Sequence, residues 1–77
     1  MMIEKNKKYL GQIIRNKRKE KKFTQKYLAK QIGLSRNYLS DIENGRYMPS
    51  VETLIRIASI LELDLNSLKS ININEVS

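Results

Sequence analysis

The sequence predicts an all-α fold in one domain, and three observations carry that expectation. Residues 24–45, TQKYLAKQIGLSRNYLSDIENG, set Leu28, Ile32, Leu34, Leu39 and Ile42 at helical spacing on either side of Gly33, the pattern of two short helices packed across a tight turn. Thr24, Ser35 and Ser50 each stand immediately before a helical run, where a hydroxyl satisfies a free backbone N–H. No strand pattern competes with these runs, since only the last residues, SININEVS, alternate weakly between polar and apolar.

A polar N-terminal arm is expected over 1–8, followed by a domain over 9–69 and a tail over 70–77. The first helix, near 9–21, places Leu10, Ile13 and Ile14 toward a core and carries the basic run Lys17-Arg18-Lys19. The second, near 24–31, starts at the Thr24 cap, with Phe23 before it able to reach Leu28 as a hydrophobic staple. Gly33 ends this helix where positive φ costs a residue without Cβ least, and Ala29 is small enough for a neighbouring helix to cross closely. A third helix, near 35–43, begins at Ser35 with Leu34 and Leu39 as its staple, and Asn44-Gly45 ends it. Pro49 marks a loop; Ser50 then caps a fourth helix near 50–61, with Glu52 in its first turn where the macrodipole favours an acid. A short fifth helix near 65–69 completes the domain. The tail reads either as disordered or as a short strand at a dimer contact.

A chain of 77 residues with 40% apolar content supports one small core, so self-association would supply part of its stability. The absence of Cys leaves no disulfide or thiolate metal site, and the absence of His removes the usual general base. No Gly-rich phosphate loop, paired carboxylates or serine motif can be assembled either, so no enzyme, cofactor or metal is expected. No run is long enough to span a membrane, and the polar start MMIEKNKK lacks a secretion signal, which points to the cytoplasm. The net charge of +7 is uneven, with thirteen Lys or Arg against four acids in residues 1–50, and two against four in 51–77. A polyanion is the natural partner of the first part. A membrane-surface helix is the competing reading, but Leu10, Ile13 and Ile14 are used up by the core.

The pieces LGQIIRNKRKEK, TQ, IGLS, SRNYLSDIENG and PSVETLIRIASILEL occur in order and together resemble the Cro/cI-type helix-turn-helix family of phage repressors, xenobiotic-response-element-like regulators and restriction-modification controllers. The resemblance runs from about Leu10 to Leu68. It implies a five-helix, lambda-repressor-like domain that regulates transcription from double-stranded DNA, in a bacterial or phage-encoded protein held at the nucleoid by its DNA.

With Leu39 and Ile42 inward, the helical period leaves Ser35, Arg36, Asn37, Ser40 and Asp41 on the outer side of the third helix. An α-helix fits the major groove with its N-terminal residues at the base edges, which makes these five the candidates, and the resemblance implies base reading at Arg36, Asn37 and Asp41. Arg can bond guanine O6 and N7, Asn adenine N6 and N7, and Asp can only accept, as from cytosine N4. For Asp41 the alternative is an intrahelical contact that positions Arg36 or Asn37. Gln25, Tyr38, Asn44 and Arg46 are implied to meet the DNA backbone. Tyr38 could instead pack against the first helix, and Arg15 is a further phosphate candidate. Arg18 and Glu43 match the family's partly buried ion pair.

The apolar residues of the fourth helix sweep an arc of about 220°, wider than one core-facing stripe needs. Ile57, Ile60, Leu63, Leu65 and Leu68 are accordingly expected at a homodimer interface, with two domains reading an inverted repeat. The alternative is an antitoxin-type protein that binds a toxin partner and represses its own operon. RNA binding is a third reading, opposed by the lack of an aromatic stacking platform.

Overall fold

A computed structural model describes residues 2–64. Four helices follow one another, α1 (Met2–Glu20), α2 (Gln25–Ile32), α3 (Arg36–Glu43) and α4 (Val51–Leu61), with no strand among the described residues. The expected fifth helix at 65–69, the 70–77 tail, Leu65 and Leu68 lie outside the described residues.

Local chemistry accounts for the helix boundaries. The hydroxyls of Thr24, Ser35 and Ser50 accept hydrogen bonds from the backbone N–H of Tyr27, Tyr38 and Thr53 at 3.0, 3.0 and 3.1 Å. Gly33 closes α2 at φ 89°, with its N–H and that of Leu34 both donating to the Ala29 carbonyl at 2.9 Å. The 1–8 segment corrects the reading of a polar arm, because α1 begins at Met2. Residues 2–8 contain no Gly or Pro, and Lys and Glu are good helix formers, so nothing halts the helix on that side of Tyr9.

The core takes Leu10 and Ile14 from α1, Leu28, Ala29 and Ile32 from α2, Leu39 and Ile42 from α3, and Ile57 and Leu61 from α4. The i,i+4 pairs 10/14, 28/32 and 57/61 each stack two side chains on one helical face. Phe23 and Leu34, which precede the Thr24 and Ser35 caps, are half-buried against this cluster.

Ile57 is fully buried within the single chain. It therefore belongs to the core and is unavailable to a dimer interface. Ile60 and Leu63 are half-buried and pack on the core, whereas Val51 and Ile55 are 74% and 61% exposed. The width of an apolar arc does not reveal which edge meets the core, and α4 turns the edge bearing 57, 58 and 61 inward.

Two glycines set the approach of α1 to α3. A Cβ on Gly11 would stand 2.5 Å from the carbonyl oxygens of both Ile42 and Glu43, so α1 crosses the C-terminal end of α3 in direct backbone contact. Gly45, at φ 78°, turns the chain out of α3 directly over Lys8.

Candidate nucleic-acid interface

Because the Ser35 cap fixes where α3 starts, the first two residues of the helix, Arg36 and Asn37, fall on its solvent side. Both are exposed, and neither side chain makes a hydrogen bond or ion pair among the described residues. Ser40 and Asp41 lie one turn further along and are half-buried. A basic, planar donor and an amide thus stand unengaged at the helix N-terminus, the end that enters a groove in proteins that insert a helix into DNA.

The opposite end of α3 is clamped. The Glu43 side chain is fully buried and receives Arg18 through two bonds, Nε to Oε2 at 2.7 Å and Nη2 to Oε1 at 3.1 Å. Gln25 Nε2 donates to Oε1 at 3.0 Å, and Arg15 Nε lies 3.6 Å from the same oxygen. Arg18 Nη1 donates to the Phe23 carbonyl at 2.9 Å, which also ties α1 to the chain entering α2. The fork of a guanidinium matches both carboxylate oxygens, and the extra donors satisfy the remaining lone pairs. One carboxylate on α3 thereby fastens side chains from α1 and α2, and every buried side-chain polar atom among the described residues has a partner.

Most of the residues expected at the DNA backbone have partners within the protein. The Gln25 amide is turned inward to Glu43. Asn44 accepts from Arg15 Nη2 at 3.0 Å and donates to the carbonyl and hydroxyl of Ser40 at 2.9 and 3.3 Å. Tyr38 is half-buried against the core, with its ring centroid 5.8 Å from that of Tyr47 at 44°. Arg46 Nη1 donates to Asp41 Oδ1 at 2.9 Å. That contact corrects the intrahelical alternative, since Asp41 holds neither Arg36 nor Asn37. An open cleft of about 450 Å³ beside the loop is lined by Lys8, Tyr9, Gln12, Arg15, Glu43 and Asn44, so basic side chains of α1 adjoin the end of α3.

Gly11 had no role in the sequence reading, although a glycine inside a helical run and next to the core residue Leu10 is a signal of close backbone approach. Among the described residues no group of His, Cys, Asp or Glu could hold a metal ion, and no helix is long and apolar enough to cross a membrane.

The family model described as helix-turn-helix matches residues 14–68. The chain belongs to the Cro/C1-type helix-turn-helix family. α2 and α3 are the two helices of the motif, and the protein is a DNA-binding transcriptional regulator whose partner is duplex DNA. This helix-turn-helix protein is 58% identical over 69 residues to the ImmF control region 10 kDa protein of Bacillus phage phi105, covering 90% of this chain and 77% of that one. It is 46% identical over 59 residues to the immunity repressor protein of the same phage, covering 77% of this chain and 41% of the repressor. Among solved structures, the clp gene regulator ClgR from Corynebacterium glutamicum superposes with a TM-score of 0.79 at 29% identity, covering 86% of this chain and 70% of that one. Relatives of this kind are consistent with a chain that is not an enzyme.

Proposed function

We propose that the protein is a repressor that binds an inverted-repeat operator as a homodimer, each α3 lying in a major groove. The observation that carries this is the contrast between the two ends of α3. Its C-terminal end is fastened through Glu43 to α1 and α2, while Arg36 and Asn37 at the other end are unengaged. A rigidly held helix with unpaired planar donors on its first turn can distinguish base edges without reorganising itself. One of the phage phi105 relatives carries the name immunity repressor protein, which supports repression as the regulatory sense.

In this reading Arg36 and Asn37 read bases, with Ser35, Ser40 and Asp41 beside them, and Asn44 and Arg46 meet phosphates together with Tyr38 and the backbone N–H of Gln25, whose side chain stays on Glu43. Val51 and Ile55 supply the exposed apolar surface for the second copy, with Leu63 lining the same shallow depression as Ile55. The protein works in the bacterial cytoplasm, held at the nucleoid through its DNA.

Selection from a pool of randomised duplexes tests the reading. Wild type should enrich an inverted repeat, and Arg36→Ala or Asn37→Ala should each cost about 1–3 kcal/mol on that duplex and far less on a scrambled one. Folded variants that enrich the same repeat at undiminished affinity would remove α3 as the reading element.

A further inference from the structure

Asp41 is an awkward residue on a surface meant for DNA, because a carboxylate facing phosphates is repelled unless it meets a donor. In the structure its donor is Arg46, five residues on and across the turn out of α3. Two bonds join them: the Arg46 backbone N–H donates to the Asp41 carbonyl at 2.9 Å, and Arg46 Nη1 donates to Asp41 Oδ1 at 2.9 Å. Gly45 makes this possible, since its φ of 78° reverses the chain and lays residue 46 back along the helix. The Arg46 side chain is 64% exposed and that of Asp41 31%, so the pair sits at the rim of the outer face, one turn beyond Asn37.

A pair this exposed is held only weakly, so a DNA phosphate can compete for the guanidinium. The exchange has a consequence for the other partner. Once Arg46 turns to a phosphate, Asp41 is left as an unpaired anion against the duplex, unless a base offers it an N–H. Cytosine N4 is the major-groove donor suited to a carboxylate.

We infer that the Asp41–Arg46 pair couples base identity to the phosphate contact. This rests on α3 reading duplex DNA as proposed above. At a half-site presenting cytosine to Asp41, the carboxylate changes partner and Arg46 is released to the backbone, so both contacts form together. At other sequences Asp41 retains Arg46, and the protein loses the phosphate contact as well as the base contact. The carboxylate thus holds a phosphate-binding arginine back from random DNA, and one mismatched position costs two interactions.

The test is a double-mutant cycle on the full chain, using the duplex recovered by selection and a scrambled duplex of equal length, with binding read by fluorescence anisotropy across a salt series. Asp41→Asn should tighten scrambled-duplex binding about three- to tenfold at low salt and steepen its log–log salt slope by about 0.9, the signature of one more neutralised phosphate. The ratio of selected to scrambled affinity should fall correspondingly. With Arg46→Ala in place, Asp41→Asn should change scrambled-duplex affinity no more than Glu52→Gln does, Glu52 being an exposed carboxylate paired with Arg56 on α4. Asp41→Ser serves as a second variant that removes the same charge and should behave alike.

Equal effects of Asp41→Asn with and without Arg46, or an equal effect of Glu52→Gln, would overturn the coupling and reduce Asp41 to a general negative charge. Those results leave the DNA reading intact. Failure of wild type to bind any duplex would overturn both.

Discussion

Removal of Glu43 should damage this protein more than removal of its principal partner, and the bonds around the carboxylate indicate by how much. Breaking a buried ion pair by deleting one member costs about 3–5 kcal/mol, because the surviving charge is stranded. In Glu43→Ala the survivor is Arg18, whose side chain is 10% exposed and keeps only the Phe23 carbonyl. The full penalty applies, about 4 kcal/mol. In Arg18→Met the survivor is the Glu43 carboxylate, which keeps Gln25 at 3.0 Å and Arg15 at 3.6 Å, so about 2 kcal/mol is expected. For a domain of this size total stability is about 4–12 kcal/mol, and each kcal/mol moves the melting temperature by about 4–8 °C. Glu43→Ala should therefore melt about 15–30 °C below wild type, and Arg18→Met about half as far below. The double variant Arg18→Met/Glu43→Leu leaves no buried charge and should be more stable than Glu43→Ala alone. Thermal and urea unfolding followed by circular dichroism would measure all three. A Glu43→Ala protein within about 1 kcal/mol of wild type, or a double variant that loses the sum of the two singles, would refute the stranded-charge argument.

Gly11→Ala should lower stability by about 2 kcal/mol or more, although alanine is the better helix former by about 1 kcal/mol, because its Cβ would meet two backbone oxygens at 2.5 Å. A raised melting temperature would show that α1 can retreat from α3 at little cost. Ile55→Lys should yield a folded monomer with weakened operator binding, while Ile57→Lys should fail to fold; sedimentation equilibrium that finds unchanged dimers of Ile55→Lys would move the interface elsewhere. Glu62 provides a pH test: the hydrogen bond from Lys21 at 2.8 Å, and then the charge of that same lysine, hold its carboxyl below the ordinary glutamate range. A depressed carboxylate contributes stability above its unfolded-state pKa and loses it as pH falls through the folded value. Lys21→Met should flatten that part of the acid limb in melting temperature against pH, and an unchanged limb would assign it to other groups.

What could be read from the residues depended on how far apart in sequence the partners lie. Each N-cap needs only a hydroxyl and the N–H three residues on, and Gly33 needs only its own positive φ, so Thr24, Ser35, Ser50 and Gly33 were all legible without a fold. The extension of α1 to Met2 is not legible as an apolar stripe, because residues 4–8 are all polar, yet helix propensity requires no stripe. Arg18 also carried a readable sign: it lies four residues beyond Ile14 and eight beyond Leu10, so the buried face of α1 ends in a charge that must find a partner. That the partner is Glu43 came only through the family resemblance, because nothing local to either residue names the other.

Contacts that depend on how the helices cross were not legible. The backbone approach at Gly11 exists only because α1 passes over the last carbonyls of α3, and the exposure of Ile55 rather than Ile57 follows from the edge that α4 presents to α1 and α2. The Asp41–Arg46 pair depends on the path of the chain through Gly45. These unread features bear directly on function. The short-range signals suffice to make two helices and a turn, but the angle at which α3 is offered to DNA is set by α1, through Gly11 and the Arg18 and Arg15 bonds to α3. A substitution at Gly11 should accordingly weaken binding to the selected and the scrambled duplex together, since it tilts the whole recognition helix. One at Arg36 should separate the two affinities, because there the helix stays in place and only the matched base edge is lost.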